Sequence, residues 1–229
     1  MNWVEYWSRP GFDQAFWKRS IEYYVAELCK AVEIGADHRV LDYGAGPGHA
    51  GPYLGPRVRE LDLLEPSIEL HQQSLEQNKD VTNIHCHHVE GLDAVAAFLE
   101  SREYEWILMN SVSQYISQEE SPPLFQALAR GLSTNGRMCI SDIVPPSSLL
   151  LRELMSVMRF YVDWFSFEDF VRYFFAEVGR LRMRKQLDLT TYSRASFESA
   201  MGKSFDIRWI PNPTVCRNRL CAILTPRSR

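Results

Sequence analysis

An apolar strand that runs into a glycine-rich turn carries the clearest chemistry in this sequence. Val40-Leu-Asp42 leads into Tyr43 and then Gly44-Ala-Gly-Pro-Gly48, and Glu65 ends the next apolar stretch, about twenty residues later. Glycine has no Cβ, so the backbone can turn sharply and approach a ligand closely. Strand-to-helix turns at the carboxyl edge of a parallel sheet are where open α/β folds hold ligands. The layout therefore predicts a nucleoside pocket.

The spacing of the glycines argues against two common nucleotide motifs. Gly44 and Gly46 match the first two positions of the dinucleotide fingerprint G-x-G-x-x-G, but His49 stands at the third and Gly48 falls one residue early. A phosphate-binding Walker loop would also need a Gly-Lys-Ser/Thr sequence after the turn, and none follows.

A carboxylate at the end of the second strand suits a ribose. Vicinal hydroxyls can both donate to one carboxylate, and such charge-assisted hydrogen bonds are strong. Asp62 lies on the same strand, but in its middle, where a ligand could not reach it. We therefore predict that Glu65 is the ribose ligand.

Alternating strands and helices position these residues. Apolar strands are predicted at 39–43, 58–64, 83–89, 106–110 and 137–144, with helices from about 49 and at 67–78, 93–101 and 124–132. This alternation predicts a parallel sheet covered by helices on both faces. A turn at Thr134-Asn135-Gly136 is expected before the fifth strand, and two final strands, 205–210 and 219–224, are predicted to pair antiparallel at the sheet edge.

One domain is expected for the 229 residues. We divide it into an N-terminal helical cap (1–36), a cofactor-binding core (37–146), a helical insertion (147–188), and a last helix with the edge strands (189–229). The insertion is rich in aromatic residues and Met at helical spacing, which predicts two helices broken near Ser166. It would serve as a lid over an acceptor pocket, or else as core or a homodimer face.

Composition limits the partners. The net charge of −4 offers no basic footprint, so nucleic acid is not expected as a partner. Five scattered cysteines without a C-x-x-C pair suggest neither a disulfide framework nor a zinc site, which favours a reducing cytoplasm. No window is long and apolar enough for a membrane span. His85, His87 and His88 do not converge on a strand, so no metal is expected.

Two motifs resemble those of a known enzyme family. Val40-Leu-Asp-Tyr-Gly-Ala-Gly-Pro-Gly48 and Leu63-Leu-Glu-Pro-Ser67 are similar to the first and second motifs of the class I S-adenosylmethionine-dependent methyltransferases. The resemblance extends from about residue 36 to 225. It implies an α/β, Rossmann-like, seven-stranded and mostly parallel sheet with a C-terminal antiparallel hairpin, N-terminal helices and a helical lid after strand 5.

The resemblance also implies a set of residues that bind S-adenosylmethionine. The first motif would line its amino-acid end, Glu65 its ribose and the next residues its adenine, while Glu90 would reach the adenine amino group. A polar segment after the fourth strand would pass the methionine portion, unless it is only a polar turn. A leading aromatic residue, Tyr6, would cap the pocket. The full set is Tyr6, Asp42, Gly44, Ala45, Gly46, Pro47, Gly48, Glu65, Pro66, Ser67, Glu90, Gly91, Leu92, Asn110, Ser111 and Gln114.

A catalytic base is optional in this chemistry. Methyl transfer from a sulfonium is an in-line displacement with a neutral leaving group, so alignment in a closed site matters most. If the acceptor must lose a proton, a general base would help. The candidates are Tyr115, His49, Asp142 and Tyr161, although His49 is also explained as the first residue of a helix.

The function that these features favour is methyl transfer to the oxygen or nitrogen of a small, apolar or aromatic organic acceptor, as in the tailoring of secondary metabolites. One alternative is a protein or RNA methyltransferase. The acidic chain and the absence of an Asn/Asp-Pro-Pro-Tyr/Phe turn after the fourth strand disfavour it. Another is a non-catalytic domain that binds the cofactor or serves as a scaffold.

Overall fold

A computed structural model describes residues 14–146, 150–164 and 189–227 of the chain. Tyr6 and most of the predicted insertion, including the break expected near Ser166, lie outside the described residues. The strands are β1 (Arg39–Tyr43), β2 (Glu60–Glu65), β3 (Ile84–His88), β4 (Tyr104–Asn110), β5 (Leu132–Ile143), β6 (Phe205–Ile210) and β7 (Leu220–Pro226).

Helices connect most of these strands. They are α1 (Gln14–Ala31), α2 (Gly51–Leu54), α3 (Ile68–Asn78), α4 (Leu92–Leu99), α5 (Ser121–Arg130), α6 (Leu150–Trp164) and α7 (Arg194–Met201). Helix α5 begins earlier than predicted because prolines are tolerated in the first helical turn, where a backbone N–H has no helical partner to lose.

The strands form one seven-stranded sheet in the order β3-β2-β1-β4-β5-β7-β6. The first five strands pair in parallel, and β7 pairs antiparallel with both β5 and β6. This confirms the predicted fold class and the C-terminal hairpin. Alternate residues of a strand face opposite sides of the sheet, and accordingly Val40 and Leu41 belong to different apolar clusters.

The turn expected at Thr134-Asn135-Gly136 is instead part of β5. Tyr104 pairs with Leu132 and Trp106 with Arg137, so β5 bulges outward between those two pairs before it continues as a buried strand. The Gly136 position has no room for a side chain, because a Cβ there would lie 2.6 Å from the carbonyl oxygen of Tyr104.

Asp62 has a structural role within the sheet. Its carboxylate accepts a hydrogen bond from the Tyr104 hydroxyl at 2.6 Å and lies 2.7 Å from His87 Nε2. His88 Nε2 lies 3.0 Å from the Pro66 carbonyl oxygen. In the described part of the chain, no group of three or more His, Cys, Asp and Glu is placed to hold a metal ion. No described helix is long and apolar enough to cross a membrane.

Candidate active site

A cavity of about 290 Å³ opens at the carboxyl ends of the parallel strands. Five strand ends contribute a polar residue each to its lining. In their order across the sheet these are Glu65 of β2, Asp42 of β1, Asn110 of β4, Asp142 of β5 and Arg219, which immediately precedes β7. We call the region of Asp42, Gly44, Gly46 and Glu65 the β2 side of the cavity. The β7 side comprises Ser111, Asp142, Thr214 and Arg219.

The glycine turn on the β2 side depends on left-handed backbone conformations. Gly44, Gly46 and Gly48 have φ of 74°, 57° and 75°, a region that side chains with Cβ disfavour. The Gly44 and Ala45 amides both donate to the Leu64 carbonyl, which fixes the turn to β2. A Cβ on Gly48 would lie 2.3 Å from Ser74 Oγ, so the absence of a side chain lets the turn pack closely on α3.

Glu65 is held rigidly beside this turn. Its Oε2 accepts the Gly46 N–H at 2.7 Å and its Oε1 accepts the Ser67 N–H at 2.8 Å, with the residue only 3% exposed. Burial raises the pKa of the Glu65 carboxyl, and the two backbone N–H bonds partly offset that rise. Each carboxylate oxygen has a second lone pair, so the fixed group can still accept hydrogen bonds from a ligand in the cavity.

Two acceptors at the ends of β1 and β4 lack a hydrogen-bond donor among the described residues. Among the described residues, the buried Oδ1 of Asn110 has no hydrogen-bond partner, and the Asp42 carboxylate makes no hydrogen bond. Burial, with the nearby charge of Glu65, raises the pKa of Asp42 to about 7. Buried acceptors without donors are costly, so these positions suit a ligand that is cationic or rich in N–H groups. The ammonium and sulfonium groups of S-adenosylmethionine fit that requirement.

The β7 side is a network of side chains. Asp142 accepts hydrogen bonds from Ser111 Oγ at 2.8 Å, Thr214 Oγ1 at 2.9 Å and Arg219 Nη1 at 2.6 Å. Ser111 and Asp142 both have positive φ, 61° and 66°, although neither is glycine. Such backbone strain persists only where the surroundings enforce it, and it concentrates at functional sites.

Arg219 extends this network to α6. Its Nε donates to Glu153 Oε1 at 2.9 Å, and its side chain is 5% exposed. Burial alone would lower the pKa of the Arg219 guanidinium, but the carboxylates of Asp142 and Glu153 outweigh it and hold the pKa well above its ordinary value. The ends of β4 and β5, the loop before β7 and helix α6 are therefore joined around one buried cation.

The structure brings most of the predicted cofactor residues together. Those that line the cavity are Asp42, Gly44, Ala45, Gly46, Pro47, Glu65, Pro66, Asn110, Ser111 and Gln114. Gly48 packs on α3 instead, and Ser67 is the buried N-cap of α3. Residues 90–92 lie at the exposed start of α4, outside the cavity lining. For all of these residues, binding of the cofactor itself stays a prediction.

The four candidate bases occupy different surroundings. Tyr115, His49 and Asp142 line the cavity, but the Asp142 carboxylate already accepts three hydrogen bonds. His49 Nδ1 lies 2.6 Å from Gln77 Oε1, and burial lowers the pKa of His49. The Tyr161 ring is buried and stacks on Phe16 at 5.2 Å.

Two segments outside the sequence motifs also line the cavity. Helix α1 contributes Phe16 and Trp17 to the lining, and the loop between β6 and β7 contributes Thr214, Val215, Cys216 and Arg219. The segment Pro211-Asn212-Pro213 predicts a loop there, but it indicates no binding role. An Arg directly before an apolar strand would ordinarily be assigned to the surface.

Comparisons with known proteins agree with this architecture. The family model described as a methyltransferase domain matches residues 12–187. An uncharacterized methyltransferase of Bacillus subtilis, YcgJ, is 27% identical over 132 residues. That match covers 56% of this chain and 50% of YcgJ, so it spans about half of the relative's length.

Solved structures show the same fold at low sequence identity. The crystal structure of YcgJ superposes with a TM-score of 0.55 and 20% identity, covering 82% of this chain and 70% of YcgJ. DhpI in complex with S-adenosylhomocysteine superposes with a TM-score of 0.63 and 12% identity, covering 99% of this chain and 96% of DhpI. Mitomycin 7-O-methyltransferase MmcR superposes with a TM-score of 0.62 and 12% identity, covering 100% of this chain and 61% of MmcR. With the family model matching most of the chain, the protein belongs to the class I S-adenosylmethionine-dependent methyltransferases.

Proposed function

We propose that this protein transfers the methyl group of S-adenosylmethionine to an oxygen or nitrogen of a small, apolar or aromatic organic acceptor. The observation that carries the proposal is the extent of the cavity. It continues from Glu65 and Asp42 past Asn110 to the ends of β5 and β7, farther than the residues assigned to the cofactor. The additional space on the β7 side is available to an acceptor.

The residues on the β2 side would bind and orient the donor. Glu65 would accept the ribose hydroxyls, and Asp42 with Asn110 would face the positively charged end of the molecule. When bound, S-adenosylmethionine supplies a methyl group on a cationic sulfur. The protein's task is then to hold the acceptor atom in line with that group and to exclude water.

The walls around the β7 side support an apolar acceptor. Val157, Phe160 and Tyr161 of α6 form a buried cluster with Val215, and Phe16 of α1 packs against it. Phe16, Val157, Val215 and Ile116 also line the cavity. Pockets for small organic ligands are lined mainly by such side chains with a few placed polar groups. MmcR, whose name specifies methylation of mitomycin, shares the fold and supports a small-molecule acceptor by analogy.

Calorimetric titration tests the donor assignment. We expect S-adenosylmethionine and S-adenosylhomocysteine to bind with one site per chain, while NADH does not bind. Binding of NADH without binding of S-adenosylhomocysteine would overturn the proposal in favour of an oxidoreductase.

A methyl-incorporation assay tests the acceptor class. The protein is incubated with methyl-labelled S-adenosylmethionine and, separately, with pools of hydroxylated and amino aromatic compounds, of peptides and of RNA. We expect label only in the aromatic pool. Label confined to peptides or RNA would support the alternative protein or RNA methyltransferase. No label in any pool, despite donor binding, would support a non-catalytic domain.

The proposal also includes the cellular location and the oligomeric state of the protein. We expect a cytoplasmic protein, because its five cysteines are free thiols. A homodimer through the helical insertion would use the outer face of α6, where Met155 and Val162 are 68% and 77% exposed. Sedimentation equilibrium should then give twice the chain mass of 26.6 kDa.

A further inference from the structure

Helix α1 places a buried tyrosine hydroxyl at the cavity. Tyr24 lines the cavity and is 3% exposed. Its ring belongs to the same apolar cluster as Val40 of β1 and Leu108 of β4. Alternate residues of a strand share a face, so Asp42 and Asn110, two residues farther along these strands, project on the same side of the sheet. Tyr24 therefore covers the face of the sheet that carries the two acceptors without a donor.

The Tyr24 hydroxyl has no hydrogen-bond partner among the described residues. Burial, with the neighbouring Cys139 and Asp42, raises the pKa of Tyr24 well above its ordinary value, so the hydroxyl keeps its proton at neutral pH. Ser141 is close enough to offset part of that rise, but no hydrogen bond joins the two hydroxyls. A buried donor without an acceptor costs free energy.

Three other hydroxyls that line the cavity are already engaged. Ser20 donates to a backbone carbonyl of its own helix, and Ser111 and Thr214 both donate to Asp142. Among the described residues of the lining, Tyr24 has the one buried hydroxyl that lacks a partner. An acceptor atom of a ligand in the cavity would satisfy it.

The polar groups on this face are complementary to the zwitterion of an amino acid. The Asp42 carboxylate and Asn110 Oδ1 are acceptors that suit an ammonium group, and the Tyr24 hydroxyl is a donor that suits a carboxylate. Both groups of an α-amino acid are bonded to one carbon atom, so an ammonium group at Asp42 brings the carboxylate into the same part of the cavity. Hydrogen bonds to an ionised acceptor are roughly twice as strong as those between neutral groups.

We propose that the Tyr24 hydroxyl donates a hydrogen bond to the carboxylate of the methionine portion of S-adenosylmethionine, whose ammonium group binds Asp42 and Asn110. Helix α1, which precedes the sheet, is thereby part of the donor site. This inference rests on the proposed methyltransferase function and adds a binding residue to the same site.

Removal of one oxygen atom tests the contact. Tyr24→Phe keeps the ring in the core, so we expect the affinity for S-adenosylhomocysteine, measured by calorimetry, to fall about tenfold. The denaturation midpoint of the protein without ligand should not fall, because the hydroxyl has no partner there. Unchanged affinity would overturn the inference, and a lower midpoint beside it would assign the hydroxyl to a structural bond with Ser141.

Tyr192→Phe is the matched control. The Tyr192 hydroxyl is also buried without a partner among the described residues and also lies near a serine, Ser121, but Tyr192 is outside the cavity lining. We expect this variant to bind S-adenosylhomocysteine within about twofold of the parent protein. A loss equal to that of Tyr24→Phe would show that both substitutions act through the fold, and it would overturn the inference.

A ligand without the carboxylate isolates the contact. Decarboxylated S-adenosylhomocysteine keeps the ammonium group, and we expect it to bind the parent protein at least about tenfold more weakly than S-adenosylhomocysteine. Its affinity for Tyr24→Phe should stay within about twofold of its affinity for the parent protein. Equal affinity of the two ligands for the parent protein, or an equal loss of both in Tyr24→Phe, would contradict the inference. The first of these comparisons does not require the variant to fold.

The two proposals fail in different ways. If S-adenosylhomocysteine does not bind to the parent protein, the proposed function is wrong and the inference about Tyr24 is wrong with it. If S-adenosylhomocysteine binds to the parent protein and equally well to Tyr24→Phe, only the assignment of Tyr24 is wrong.

Discussion

The two sides of the cavity are built by different means. On the β2 side, the backbone forms most of the site. Gly44, Gly46 and Gly48 adopt positive φ, and two backbone amides hold Glu65 in place. On the β7 side, side chains form the site, because Ser111, Thr214 and Arg219 all donate hydrogen bonds to the Asp142 carboxylate. One end of this site therefore depends on chain conformation and the other on the balance of buried charge.

The largest expected effect is on the β7 side. Arg219→Met should destabilise the protein by about 3 to 5 kcal/mol, because it removes the buried cation that Asp142 and Glu153 share. Chemical denaturation at pH 7 measures this. Arg39→Met is the control, since Arg39 forms a partly exposed ion pair with Glu60 at the amino ends of β1 and β2. This substitution should cost about 1 kcal/mol or less. Equal losses in the two variants would show that the β7 side does not depend on charge.

The second prediction concerns the buried acid on the β2 side. The folded-state pKa of Asp42, about 7, exceeds the value of about 3.9 for an exposed Asp. The folded protein favours the neutral carboxyl of Asp42. The stability that this provides is therefore fully present below pH 4, and it is lost as the pH rises through 7 and the carboxyl ionises. Asp42→Asn should match the parent near pH 4 and be more stable by about 2 to 4 kcal/mol at pH 8.

Denaturation curves across this pH range measure the difference. Asp206→Asn is the control, because Asp206 is an exposed partner of Arg227 and should show no such trend. A constant difference between Asp42→Asn and the parent from pH 4 to 8 would mean that Asp42 is ionised in the folded protein throughout.

A third prediction separates backbone strain from crowding at the glycine turn. Gly48 and Gly91 both have positive φ, but a Cβ would contact Ser74 and Asn78 at Gly48 and no atom within 4 Å at Gly91. Gly91→Ala should cost about 1 kcal/mol from backbone strain alone. Gly48→Ala should cost about 2 to 3 kcal/mol, because overpacking adds to the strain. Thermal unfolding that ranks the two variants equally would show that the fit on α3 is not tight.

The smallest effect expected is on donor binding. Glu65→Ala should weaken binding of S-adenosylhomocysteine by about 1 to 3 kcal/mol, the cost of losing a buried charged acceptor. Calorimetry measures it, with circular dichroism to verify the fold, because Gly46 and Ser67 lose a hydrogen-bond partner. Glu60→Gln, at the other end of β2, is the control. Unaltered affinity in Glu65→Ala would mean that Glu65 does not bind the ribose.

The same contrast explains what could be predicted from the sequence. The glycine turn and Glu65 lie within one strand-turn-helix-strand segment, so their relation follows from local periodicity and turn chemistry. The mostly parallel sheet and the terminal antiparallel hairpin were also predicted, and the observed strand pairing confirms them.

The β7 side could not be predicted in this way. Asp142 and Arg219 are 77 residues apart, and Arg219 and Glu153 are 66 apart, so no local pattern relates them. The sequence indicates Asp142 only as a candidate base, and it indicates no role for Arg219, Glu153 or Thr214. Their roles depend on β7 lying between β5 and β6, a contact between distant segments of the chain.

The placement of β7 also sets an order of events during synthesis. Among the described strands, β6 pairs only with β7, and β7 is the last to leave the ribosome. Until then the edge of β5 is uncovered, and Asp142 lacks its ion pair with Arg219. Chains shortened by a premature stop before residue 219 should therefore retain the glycine turn and its neighbouring strands. They should also expose the unpaired, aggregation-prone edge of β5, which is a target for chaperones and proteases.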